Sequence, residues 1–381
     1  MRKGWEYKKL GEVCDITMGQ SPNGNSINEA NGVEFHQGKT CFGERFLGVS
    51  PLYSNAPTKL AEAHSVLLCV RAPVGYPNIT DRKICIGRGL CALYAKGEID
   101  NTFLYYSLLG KQSYFEKNAT GSTFKAISSK IVSNTTLSIP PLSTQLAIVS
   151  ELDKINELIR LKKEQLKDFD NLAQSLFYEM FGDPVENEKG WEVKKLNDIC
   201  DVRDGTHDSP KYLQNSEYIL ITSKNIVNGS IDFENVNYIS EEDYIKINKR
   251  SKVDNGDIIM PMIGTIGNPI IAHIDGTHKF CIKNVALIKF LADSTVNNMF
   301  IVNLMRCSSF SSYLLNQNKG GTQKFVALGA IRKLPIPLPP LSLQRLFAQR
   351  IEQIEREKSE VQKSILDLET LLASRMQYWF E

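Results

Sequence analysis

Two stretches of the chain repeat apolar residues alternately four and three positions apart. The first runs Ile148, Leu152, Ile155, Ile159, Lys162, Leu166, Phe169, Ala173, Leu176, Met180. The second runs Phe347, Ile351, Ile354, Lys358, Val361, Ile365, Leu368, Leu372, Arg375, Trp379. A period of 3.5 over more than four heptads is the seam of a long coiled-coil helix. One such stripe would dock on its own globule; two matched stripes in one chain predict mutual pairing. Residues 182–341 lie between them, so an antiparallel pair would put one globule at each end. Lys162 and Lys358 interrupt the seam. They either fix its register or merely snorkel, with their stems along the apolar stripe. Elsewhere, short apolar runs (Val66-Leu67-Leu68-Cys69-Val70; Ile258-Ile259-Met260) alternate with Gly, Asn and Pro turn signals, which predicts strand-rich α/β globules.

The chain contains one unit twice. Gly4-Trp5-Glu6-Tyr7-Lys8-Lys9-Leu10 recurs as Gly190-Trp191-Glu192-Val193-Lys194-Lys195-Leu196, offset by 186. Pro140-Pro141-Leu142-Ser143-Thr144-Gln145 recurs as Pro339-Pro340-Leu341-Ser342-Leu343-Gln344, offset by 199. The 13 extra residues of the second copy are expected in surface loops, where added length costs little. Pro-Pro ends the preceding extended segment, and Ser143 and Ser342 stand where a helix N-cap is wanted. The expected fold mixes α+β and α/β character. Two similar domains, residues 1–142 and 182–341, are separated by two long antiparallel coiled-coil helices, residues 143–181 and 342–381, in a pseudo-twofold internal repeat. Such an arrangement suits an elongated ligand with two separated features, and DNA is the obvious case.

Composition narrows the choices. Hydrophobic residues at 42% and charged residues at 23% exclude wholesale disorder. No apolar run approaches the roughly 18 residues of a membrane span, and the first residues lack a signal-peptide pattern. The eight cysteines include no Cys-x-x-Cys pair, and the five histidines do not join them at zinc spacings. A cytoplasmic protein with reduced thiols and no metal is therefore expected. Net charge is only +2, but residues 1–142 carry 16 Lys and Arg against 11 Asp and Glu. Any nucleic-acid face must be a local patch.

At this point the residues resemble the specificity subunits of type I restriction-modification systems, over nearly the whole chain. The opening Gly-Trp-Glu-x-Lys-Lys-Leu, the Pro-Pro-Leu-Ser-x-Gln entry to each helix, and the helices themselves carry the resemblance. Arg203-Asp204-Gly205-Thr206-His207-Asp208-Ser209-Pro210 looks like a recurring target-domain segment, as do Val70-Arg71-Ala72-Pro73-Val74-Gly75 and Met262-Ile263-Gly264-Thr265-Ile266-Gly267. The first domain departs from the pattern, with Met18-Gly19-Gln20-Ser21-Pro22 where the second has Asp-Gly-Thr-His, so the two are expected to read different sequences. The resemblance implies two target-recognition domains reading a bipartite, asymmetric site on double-stranded DNA. It implies two modification (methyltransferase) subunits and restriction/translocase subunits as partners, with no membrane. S-adenosylmethionine, ATP and Mg²⁺ would sit on those partners and no cofactor on this chain.

Base reading calls for Arg or Lys at guanine, Asn or Gln at adenine, and Ser or Thr at either. Candidates in the first domain are Lys39, Arg45, Arg71, Arg82, Lys83, Arg88 and Lys125. Arg71 leads them because it follows an apolar strand and precedes a Pro-x-Gly turn; the competing reading is an ordinary solvated or salt-bridged arginine. In the second domain they are Thr206, His207, Ser209, Lys211, Lys224, Asn225, Lys249, Arg250 and Lys324. For Gly205-Thr206-His207-Asp208 the alternative is a turn in which Asp208 bonds its own backbone. The run Lys249-Arg250-Ser251-Lys252 is equally a solvated face. Thr120-Gly121-Ser122-Thr123-Phe124-Lys125 and Gly320-Gly321-Thr322-Gln323-Lys324-Phe325 are either phosphate-holding loops or simple turns.

Catalytic classes find little support. There is no Asn/Asp-Pro-Pro-aromatic loop for an amino-methyltransferase and no Walker A loop for ATP. Glu6-Tyr7-Lys8 and Glu192-Val193-Lys194 match half of a nuclease motif, but no Pro-Asp stands upstream, and both are assigned to surface strands. Two alternatives remain: the specificity subunit of a type II system whose partner both cuts and methylates, and a coiled-coil scaffold that reads no DNA.

Overall fold

The computed structural model describes residues 4–121, 125–227, 229–264, 266–290, 295–316 and 325–380. Two compact units emerge. The first comprises Met1–Lys163 with Lys363–Glu381, the second Glu164–Gln362. Both boundaries fall inside the long helices, Leu142–Phe181 and Leu341–Phe380.

The first unit is built on an antiparallel four-stranded sheet, ordered Cys14–Met18, Leu90–Ala95, Val66–Cys69, Pro77–Ile79. Beside it, Val33–His36 and Ile84–Ile86 form a parallel pair within a five-stranded sheet. The opening Glu6–Lys9 strand pairs antiparallel with Thr136–Ile139, which brings the two ends of the repeated unit together. Helix Asn101–Leu109, capped by Asp100, buries Phe103, Leu104, Tyr106 and Leu108 against the four-stranded sheet.

The second unit repeats this plan. Asp201–Asp204, Val285–Lys289, Ile258–Pro261 and Ile270–Ile271 make its four-stranded sheet. Tyr218–Ile221 and Lys279–Ile282 are its parallel pair, and Glu192–Lys195 pairs with Pro335–Leu338. The extra length is not confined to loops. Helix Glu241–Ser251, which has no counterpart among the described helices of the first unit, packs Tyr244 and Ile247 beside Leu220, Ile239 and Cys281. An insertion that buries apolar side chains stabilises itself, as a bare loop cannot.

The repeated glutamine of the Pro-Pro-Leu-Ser-x-Gln motif is buried in both units. Gln145 donates to Pro140 O and Glu98 O (both 2.9 Å) and accepts from Asp100 N–H (3.0 Å). Gln344 donates to Pro339 O (2.8 Å) and accepts from Asn297 N–H (2.9 Å). Each thereby ties the start of a long helix to the cap of a shorter one. The N-cap expectation for Ser143 and Ser342 fails. The helices start one residue earlier, at Leu142 and Leu341; Pro141 O accepts from Thr144 N–H (2.8 Å) and Gln145 N–H (3.1 Å), and Pro340 O from Leu343 N–H (2.9 Å) and Gln344 N–H (3.1 Å).

Within each unit the helical segments run antiparallel. In the first, Glu151 meets Arg375 (Nη2, 3.0 Å) and Trp379 (Nε1, 3.1 Å), and Lys163 meets Glu369 (3.0 Å). In the second, Asp170 meets Lys358 (2.7 Å), and Phe177 meets Phe347 with ring centroids 5.6 Å apart. Lys358 therefore does more than snorkel: its ammonium bridges the helices and also reaches Glu355. Of the seam positions, Ile148, Leu152, Ile155, Ile159, Phe347, Ile351, Ile354, Val361 and Ile365 are buried, while Leu166, Phe169, Leu176, Leu368 and Leu372 are half-buried. Toward the helix ends the seam shifts by one residue. Phe177, Phe181 and Phe380 are buried, whereas Leu176, Met180 and Trp379 are half-buried. A straight helix drifts about 20° per heptad against a 3.5 repeat, so a strict count slips over this length. The end residues also pack on sheet-bound helices: Phe177 stacks on Phe300 (5.7 Å) as well as meeting Phe347, and Phe380 lies against Phe103 (5.6 Å).

Candidate nucleic-acid interface

In the first unit, hydrogen bonds from backbone and side chains gather loops that follow or join strands. Gly19 N–H donates to Leu90 O (2.8 Å) and Gln20 N–H to Ile86 O (3.0 Å). Arg88 N–H donates to Ser21 Oγ (3.2 Å), Thr58 Oγ1 to Gln20 O, and Ala72 N–H to Lys125 O (3.1 Å). The Arg71 side chain passes over Gly89, which in turn lies against Gly38. These links bring the predicted Lys39, Arg71, Arg88 and Lys125 to one cluster, all exposed. Lys39 Nζ sits 4.0 Å from the centroid of the Tyr76 ring. Arg71, Arg88 and Lys125 have no ion-pair partner among the described residues. Exposed cations free of carboxylates are what a phosphate backbone or a guanine edge requires.

The remaining three predicted cations of this domain are engaged by the protein itself. Arg82 forks onto Glu34 (Nε 2.6 Å, Nη2 2.7 Å) and also reaches Asp81, Leu47 O and Gly48 O. Burial alone would raise the Glu34 carboxyl, but Arg82, the Ser50 N–H and His36 together hold it down at about 2. Arg45 binds Asp153 (2.6 Å) and Thr102, packing among Phe46, Tyr105 and Tyr106. It anchors the long helix rather than facing outward. Lys83 pairs with Glu62 (2.6 Å).

The second unit uses the same backbone frame. Gly205 N–H donates to Val285 O (2.9 Å) and Thr206 N–H to Ile282 O (3.0 Å), matching Gly19 and Gln20 bond for bond. Neither glycine admits a side chain: a Cβ would strike Gly87 O at Gly19 and Ile282 O at Gly205. Upon this frame stand Thr206, His207, Asn284 and, through the bond from Ser223 Oγ to Asn284 O, Lys224. His207 is exposed, with Nδ1 2.9 Å from Asn284 Oδ1 and Nε2 2.8 Å from Asp204 Oδ2. The hydrogen bond with Asn284, then that with Asp204, raises its pKa above the ordinary value. A turn does form here, but Thr206 rather than Asp208 supplies the side chain: Thr206 Oγ1 accepts from Asp208 N–H (3.2 Å).

Other predicted residues of this domain are differently employed. Asn225 is buried, donating to Asn235 O and accepting from Thr222 N–H (3.0 Å each), and so shapes a turn. Arg250 is tied to the buried Asp204, and Ser209 accepts from Lys283 Nζ. Lys211, Lys224 and Lys249 are exposed without an ion-pair partner among the described residues. Lys324 lies outside the described residues, as do Ser122–Phe124, residues 320–323 and Thr265 of the quoted motifs.

The model of the type I restriction modification DNA specificity domain matches residues 2–168 and again 188–369. The chain belongs to the type I restriction-modification DNA-specificity family. Among its relatives in Methanocaldococcus jannaschii, the putative MjaX specificity subunit is 38% identical over 176 residues, spanning 45% of this chain and 41% of that protein. The type I MjaIX specificity subunit is 24% identical, covering 97% of this chain and 91% of its own length. In fold, the chain resembles the type I S subunit of M. genitalium (TM-score 0.55, 14% identity, covering 99% of this chain and 96% of that one). It also resembles a chain from a structure of a type I R-M system in assembly and conformational transition (TM-score 0.64, 18% identity, covering 100% and 98%). This specificity subunit therefore carries two DNA-specificity domains, and in each the same frame presents a different set of side chains.

Sequence reasoning passed over Lys59 and Lys283 of these clusters and treated Gln20 only as a departure from a motif. Lys59 joins through the bond from Ile86 N–H to its carbonyl (2.9 Å), a link between loops that no local pattern encodes. Among the described residues no helix is long and apolar enough to cross a membrane.

Proposed function

We propose that this chain is the non-catalytic reader of a bipartite, asymmetric site on double-stranded DNA, one half-site per domain. The domains are taken as residues 1–142 and 182–341, with residues 143–181 and 342–381 as spacers that set the number of unread base pairs. One observation carries the reading: Gly19-Gln20 and Gly205-Thr206 donate the same pair of backbone hydrogen bonds, yet Gln20-Ser21 and Thr206-His207 present different side chains. A shared frame with unlike side chains is what two different half-sites demand, since phosphate contacts position a protein and base contacts specify sequence. In this reading two modification subunits and the restriction subunits assemble on the chain in the cytoplasm and bring S-adenosylmethionine, ATP and Mg²⁺ with them. The test is the purified chain, alone and with its modification subunits, incubated with DNA, Mg²⁺ and S-adenosylmethionine. Alone it should neither cut nor methylate; with its partners it should bind one sequence in preference to shuffled DNA. Turnover by the isolated chain refutes the reading, and so does binding without preference.

A further inference from the structure

The uncharged residue set among the cations of the first domain has the better claim to carry sequence information there. Gln20 is pinned on both sides of its peptide: its N–H donates to Ile86 O (3.0 Å), and its carbonyl accepts from Thr58 Oγ1. The preceding Gly19 fits only because it lacks a Cβ. Yet the Gln20 side chain is exposed and has no partner among the described residues. Lys59 adjoins Thr58 on one side, and Arg88 is held to Ser21 on the other. Those cations attract phosphate whatever the sequence. Phosphate uses only an amide's donor, whereas adenine N7 and N6 in the major groove match its donor and acceptor together. The pinned backbone beneath it spares the cost of ordering a loop on binding.

We propose that Gln20 reads an adenine edge in the first half-site, from the backbone position that Thr206 occupies in the second domain. This rests on the reading of the chain as a two-headed DNA reader. The test is Gln20→Ala and Gln20→Glu in the full chain assembled with its modification subunits. Affinity is measured for a panel of duplexes varied one base pair at a time across both half-sites. With Gln20→Ala, discrimination at one A·T pair of the first half-site should fall about 10- to 100-fold, with the second half-site unchanged. Gln20→Glu should move the preference at that pair toward cytosine, whose amino group a carboxylate accepts. Melting curves matching the parent show that the exposed substitution leaves the fold intact. Equal weakening on every duplex makes Gln20 a positioning residue and overturns the proposal, as does unchanged discrimination. If the parent itself discriminates at neither half-site, the two-headed reading falls and this proposal with it.

Discussion

Arg82 carries the charge of a DNA contact but the geometry of a structural one, and Glu34→Gln distinguishes the two. The carboxylate takes both arms of the Arg82 fork, the Ser50 N–H (2.7 Å) and His36 Nε2 (2.8 Å), and is only 11% exposed. Lowering it from an ordinary 4.5 to about 2 corresponds to about 3 kcal/mol favouring the folded state. Arg82 is 31% exposed and also leans on Asp81, so solvent screening trims the expected loss in the glutamine variant to about 2 kcal/mol. Because the folded pKa is depressed, this contribution is complete above pH 4.5 and disappears as the pH falls toward 2. Urea unfolding of parent and variant should thus differ by about 2 kcal/mol at pH 7 and converge near pH 2. Site discrimination, measured well below the melting temperature, should be unaltered. A variant as stable as the parent at pH 7, or one with lost discrimination and normal stability, would refute the structural assignment.

Arg71→Ala should weaken binding to one half-site only, by about 1 to 3 kcal/mol if its fork takes a guanine edge; a half-site competition assay reads this, and equal loss on all sequences would show a phosphate contact. Lys224→Ala should weaken binding to specific and nonspecific DNA alike and lower the slope of log K against log salt by about 1, as titration between 50 and 200 mM salt would report. Phe177→Ala removes a ring packed against Phe181, Phe300 and Phe347, and should cost about 3 to 5 kcal/mol in denaturant unfolding while leaving base preference intact.

Much of the architecture was legible because it is periodic or duplicated. The seam from Ile148 to Ile159 is buried as its spacing requires, and the repeated Gly-Trp-Glu and Pro-Pro-Leu-Ser-x-Gln segments fold alike in both units. What was not legible lies in contacts between residues distant in sequence. Nothing near Arg82 announces Glu34, 48 residues away, and nothing near Arg45 announces Asp153, 108 residues away. A basic residue on a loop reads as a DNA contact until its carboxylate is seen. Phe177 was missed for a geometric reason, since a strict heptad count assigned the core to Leu176. The Gly19–Gly205 equivalence was legible from the repeat, and the matching hydrogen bonds to Leu90 and Val285 give its structural reason.

Methylome sequencing of a host that carries the whole system tests the central claim most directly. The account predicts one asymmetric motif of two unlike specified half-sites separated by a fixed run of unspecified bases. A continuous motif, or a palindrome with identical halves, would contradict it.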